Sequence, residues 1–353
     1  MARTRDPAPD RARRIAAVVA LLLGASFVAA SPAAPTSRVG AAPAPRPLCP
    51  GVGDGLARPE PEPVATDGVS GLRYVFVDRS RPAWPDDPAD ASDTGEDGLA
   101  RTDGTCRVLR VAVRYPTGTA GPLPLVLVVH GRDGDPTALE ALLDRWVRSG
   151  YVVVAPYFLR TEKGADGTPT GAATRRQAAD ARFVLDRVLA LDDDPSSALH
   201  GLVDPDHIGA AGMSLGGMTV YGLVANTCCR DDRITAALLL AAVHRPFPGG
   251  RYVRQRIPIM LVQGNADDGY HNSVSAYPEL GAPKWFVTLH GSTHSPPFEI
   301  PRGPEGPLVD DMTTAFWNRY LHSHHRVSAL AIVDTVHAAG DRASLLHQAR
   351  GES

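Results

Sequence analysis

Short runs of Val, Leu and Ile recur along the chain, most of them followed by a segment with helical spacing: LRYVFVD, VLRVAVRYP, LPLVLVVHG, YVVVAPYF, HIGAAGMS, ITAALLLAAV, IPIMLVQGN and KWFVTLHG. That alternation predicts an α/β protein with a mostly parallel, eight-stranded sheet and helices on both faces. The runs are nearly unbroken, as strands covered on both sides should be, and the first two are more mixed, as befits an edge hairpin. Residues 137–149 place Leu139, Leu142, Leu143, Trp146 and Val147 on one helical face, and Gly150 follows as a stop. Residues 174–191 repeat the pattern with Ala178, Ala181, Val184, Leu185 and Val188. Residues 312–321 read as the helix that closes the sheet, with Trp317 and Tyr320 in its packed face.

Outside residues 71–321 the core-forming pattern fades. Residues 1–30 begin with a basic lead and continue into an apolar run ending in small residues, the form of a signal peptide, so a secreted or extracytoplasmic location is expected. That run is short for a membrane span. Arg13 and Arg14 hint at twin-arginine export, although their surroundings fit that signal poorly. Residues 31–65 are crowded with Pro and Ala and read as a disordered linker. The domain that carries chemistry is expected over 66–325, with a surface loop at 82–103 and a partly helical tail at 326–353.

Composition narrows the partners. With 43% hydrophobic and 21% charged residues the chain can bury a large core, and a net charge of -3 without a basic stripe argues against nucleic acid. A small-molecule or lipid-like partner is expected, and nothing points to an obligate protein partner.

The segment IGAAGMSLGG sets Gly212, Ser214 and Gly216 in G-x-S-x-G spacing. The motif alone is common, but here a strand-like run precedes it and a helix-like run follows, the setting of a nucleophile elbow. A serine hydroxyl needs a base within hydrogen-bond reach, itself oriented by a carboxylate. Both should follow later strands. After IPIMLVQG comes NADDGYH, where Asp267 is preferred to Asp268; after KWFVTLHG comes STHS, which offers His294. His290 and His271 read as a strand-face and a solvated residue. The developing oxyanion needs two N–H donors, expected from Leu215 and from Arg132 in the turn LVLVVHGRDGD. In that turn His130 and Gly131 are expected to be structural.

These residues resemble the α/β-hydrolase family, and more narrowly the dienelactone-hydrolase-like group that includes platelet-activating-factor acetylhydrolases and the polyester-cleaving cutinase-type lipases. The resemblance covers most of 71–321 and rests on VDRSRP, RVLRVAVRYPTG, LPLVLVVHG, YVVVAPYF, DPDHIGAAGMSLGG and MTTAFWNRYL. It implies a Ser214, Asp267 and His294 triad acting on carboxylic esters, with no metal and no organic cofactor. Two departures narrow it. Dienelactone hydrolases use cysteine where this chain has Ser214, and no insertion long enough for a large lid is present. The 4 cysteines, Cys49, Cys106, Cys228 and Cys229, allow three pairings; the residues choose none of them, while NTCCRDDR resembles a stretch in the family and so suggests a Cys228–Cys229 bond. Two competing readings remain: a secreted peptidase or amidase with the same triad, and a hydrolase-fold binding protein without chemistry.

Overall fold

The computed structural model describes residues 59–62, 64, 66–81, 107–158, 161–163, 171–244, 247–300, 302–322 and 329–349. The expected leader at 1–30, the linker up to residue 58, the loop at 82–103, and Cys49 and Cys106 lie outside the described residues.

In chain order the strands are β1 (Glu60–Pro61), β2 (Val69–Asp78), β3 (Arg107–Pro116), β4 (Leu123–Val129), β5 (Val152–Pro156), β6 (Val203–Met213), β7 (Ile234–Leu240), β8 (Ile259–Gly264), β9 (Lys284–Leu289) and β10 (Ala343–Gln348). The helices are α1 (Glu140–Arg148), α2 (Gly171–Asp193), α3 (Leu215–Ala225), α4 (Tyr270–Ala276), α5 (Gly306–Tyr320) and α6 (Ala329–Ala338). All ten strands join one sheet in the order β1-β2-β3-β5-β4-β6-β7-β8-β9-β10. This corrects the expected eight-stranded, mostly parallel sheet. Strands β5 through β9 and β4 pair in parallel, but β1, β2 and β3 at one edge and β10 at the other pair antiparallel, so the sheet is mixed. The two strands that the pattern does not reveal are weak in sequence. β1 is 2 residues long, and β10 (ASLLHQ), within the stretch read as a tail, buries little besides Ala343.

Alternation explains the two faces. On the inner strands one parity (Leu125, Leu127, Val154, Ala210, Leu239, Leu261) packs against α2 and α3, and the other (Val126, Val153, Ala211, Leu238, Val262, Trp285) packs against α1, α5 and α6. Trp146 on α1 meets Trp317 on α5 edge-on at 5.8 Å, both fully buried. On β3 buried arginines follow the same alternation: Arg107 pairs with Asp180 of α2, whereas Arg114 pairs with Asp144 of α1 and with Glu62 at 2.8 Å each. Cys228 and Cys229, just beyond α3, are joined by a disulfide.

The chain reverses its path across the sheet at β4, which is flanked by β5 and β6. Outside the carboxyl ends of parallel strands at such a switch point lies the crevice where α/β sheets accept ligands. The loops leaving β4, β6, β7, β8 and β9 all emerge on that side.

Candidate active site

Ser214 sits between β6 and α3 at φ 54° and ψ -119°, a positive φ rarely adopted by a residue with a side chain. The surrounding structure holds it there: its N–H donates to the Leu240 carbonyl at 2.9 Å, and its own carbonyl accepts from Val243 at 3.0 Å and Met218 at 3.2 Å. Two glycines make the bend possible. A Cβ on Gly212 would collide with the carbonyl oxygen of Gly216, and one on Gly216 would collide with those of Val129 and His130, at the end of β4. The turn after β4 therefore packs directly under the bend.

That turn is fastened by His130. Its ring accepts the Phe158 N–H through Nε2 at 3.0 Å, so Nδ1 carries the proton that bonds the Gly131 carbonyl at 2.8 Å. Burial pushes the His130 pKa down to about 4, and the ring is neutral. Among the described residues the backbone N–H groups of Arg132 and Leu215 bond no other group, and both residues line the cleft with Ser214. The Arg132 side chain turns to solvent beside Asp133, 3.4 Å away.

Asp267 follows β8 and His294 follows β9. His294 Nδ1 lies 2.6 Å from Asp267 Oδ2. The same oxygen accepts from Gln263 Nε2 at 2.6 Å, while Oδ1 accepts the Gly269 N–H at 2.8 Å. Gln263 is in turn fixed by Ser273 Oγ, which donates to its Oε1 at 2.9 Å, and both residues are buried. With Nδ1 engaged by a carboxylate, His294 Nε2 is left as the acceptor. The two loops touch because Gly264 has no side chain: a Cβ there would collide with the Ser292 carbonyl oxygen, which accepts the Ala266 N–H at 3.0 Å.

Ser214, Leu215, Arg132, Asp267 and His294 line one cleft of about 720 Å³. No hydrogen bond joins Ser214 to His294 among the described residues. Asp268 also lines the cleft but is exposed, and the carboxylate on His294 is that of Asp267. His290 lies just past β9, exposed and bonded to Ser344 at 3.0 Å, rather than within the strand. His271 is exposed on α4.

Sequence reasoning passed over three residues. Gln263 and Ser273 brace Asp267; the available signal was a polar residue just before the end of the apolar run IMLVQG. His244 lines the cleft beyond β7. Burial pushes its pKa down to about 4, its Nε2 is buried without a partner, and its ring meets Tyr221 edge-on at 5.9 Å.

No protein-family model matches the chain. Over 233 residues it is 28% identical to a protein named "Putative esterase NocK" from Nocardia uniformis subsp. tsuyamanensis, an alignment covering 63% of this chain. The chain spans 62% of the length of that relative.

Proposed function

We propose that this chain is a serine hydrolase of the α/β-hydrolase fold that cleaves carboxylic esters through an acyl-enzyme on Ser214. The observation that carries the reading is the 2.6 Å bond between His294 and Asp267, set in one cleft with a serine on a positive-φ bend. The name of the Nocardia relative supports ester hydrolysis.

In this reading His294 Nε2 takes the Ser214 proton as Oγ bonds the ester carbon, and the carbonyl electrons move onto oxygen. The N–H groups of Arg132 and Leu215 stabilise that charge, each worth about 3 kcal/mol in comparable sites. Asp267 stabilises the imidazolium. The intermediate collapses as the carbon–oxygen bond to the alcohol breaks and His294 returns the proton to the leaving alkoxide. Water then repeats the sequence on the acyl-enzyme, releasing the acid and restoring Ser214. The chemistry requires no metal or organic cofactor.

The basic and apolar stretch at 1–30 supports export, and the Cys228–Cys229 disulfide fits an oxidising compartment. The catalytic unit in this reading takes in 66–325 together with α6 and β10, which pack on the same sheet.

Ser214→Ala should lower kcat/KM on a nitrophenyl ester by about 10⁴-fold or more, and should abolish labelling by a fluorophosphonate. A variant that keeps near-normal turnover would overturn the assignment. Peptide anilides run beside the esters separate an amidase from an esterase, and absence of both labelling and turnover in the unaltered protein would leave a binding protein.

A further inference from the structure

One wall of the cleft is built from the segment that follows β7. Ala241, Ala242 and Val243 are apolar, and His244 then adds a single polar ring. The segment is tied to the reaction centre, because Val243 donates to the carbonyl of Ser214 at 3.0 Å. His244 is the next residue, and neighbouring Cα atoms are only about 3.8 Å apart. Its ring lines the same cleft as Ser214.

The ring has nothing else to do. Among the described residues neither of its nitrogens makes a hydrogen bond, and Nε2 is closed off from solvent. Its ring meets Tyr221, which in turn stacks on Tyr252 at 4.4 Å. A buried polar atom without a partner opposes folding, and folded proteins leave few of them. Nε2 itself is sealed from the cleft, whereas Nδ1, equally without a partner, is not closed off and is the nitrogen that a molecule in the cleft can bond. Burial keeps the ring neutral, with one donor and one acceptor and no charge to attract an anion.

Building on the esterase reading above, we propose that His244 is a specificity-determining residue that hydrogen-bonds a neutral oxygen function of the substrate. The preferred substrates are then esters that carry a hydroxyl or a second carbonyl near the scissile bond, rather than plain alkyl esters. The oxygen bonds Nδ1 when the ester binds, so that discrimination comes from a hydrogen bond that an alkyl chain would displace from water without replacing.

Acid release from methyl butanoate, methyl 3-hydroxybutanoate and 2-hydroxyethyl butanoate tests this, since the last two place a hydroxyl on the acyl and on the alcohol side. The unaltered protein should prefer at least one oxygenated ester to methyl butanoate by about tenfold in kcat/KM. His244→Phe, which keeps a ring against Tyr221, should erase that ratio, and His244→Asn, which restores a donor and an acceptor, should retain most of it. Ratios within one preparation do not depend on the folded fraction, and His244→Leu serves if the Phe variant fails to fold. The same ratio in the unaltered protein and in the apolar variant would overturn the inference and leave the esterase reading intact. Hydrolysis of none of the three esters, with Ser214→Ala indistinguishable from the unaltered protein, would overturn the esterase reading itself.

Discussion

Three histidines in and beneath one cleft are held in three different ways. His294 is held by a carboxylate, His130 is locked between a carbonyl and an N–H, and His244 is left without a hydrogen-bond partner. The last two are neutral, and this has a consequence for acid stability. In the unfolded chain an imidazole gains its proton near pH ~6.5, whereas burial holds those of His130 and His244 down to about 4. The unfolded state therefore binds more protons in that window, and stability present above about pH 6.5 is lost as the pH falls towards 4. For His130 alone the loss is on the order of 3 kcal/mol. Glu62 and Asp310, whose pKa values burial raises, act in the opposite direction. Titration of the His130 ring followed by NMR should give a midpoint well below that of a free imidazole, and an ordinary midpoint would contradict the burial argument. At this scale the sequence was legible where chemistry demands spacing. Gly212, Ser214 and Gly216 form a local motif, and Asp267 and His294 each follow a strand. His244 was not legible, because a lone histidine beyond an apolar run has no period to betray which way its ring turns.

Among the elements, β8 has a second role beyond filling the sheet. Its penultimate residue, Gln263, spans from Ser273 on α4 to Asp267 and places a donor on the oxygen that also faces His294. If the chain is the esterase proposed above, Gln263→Leu should lower kcat about tenfold with little change in KM, since Gln263 braces Asp267 and does not line the cleft; Ser273→Ala should act in the same direction but less. Steady-state kinetics on a nitrophenyl ester would check both, and a change confined to KM would contradict this role. Two helices were legible to within a turn, whereas α5 begins at Gly306, well before the expected residue 312. The apolar faces read over 137–149 and 174–191 correspond to α1 and α2, and the ends differ because capping and a short 3-10 turn at Pro136–Leu139 decide them rather than periodicity. Strands buried on both faces announced themselves as unbroken apolar runs. β10 did not, because its register on β9 is set by pairing from Ala343 opposite Leu289 to Gln348 opposite Lys284, with few buried side chains to mark it.

Across the whole molecule, the last strand bears on the site although it lies at the sheet edge. β10 covers β9, whose loop carries His294, and His347 stacks on Trp285 of β9 at 3.6 Å. Removing residues 343–353 should lower the thermal midpoint and the ester turnover together, as the strand behind His294 becomes the new edge; a shortened chain with unchanged activity and midpoint would show the strand to be dispensable. The mixed sheet also explains what the pattern could give. Parallel strands and their crossovers repeat a readable rhythm, while antiparallel additions at the edges, β1 and β10, depend on pairing that no local rhythm records. The placement of His130, Ser214, His244, Asp267 and His294 on loops leaving a buried sheet separates two kinds of change. A gene could exchange Val243 and His244 and alter what the pocket admits while the buried Ala241, Ala242 and the sheet beneath keep their sequence, so new preferences can arise without a fresh scaffold.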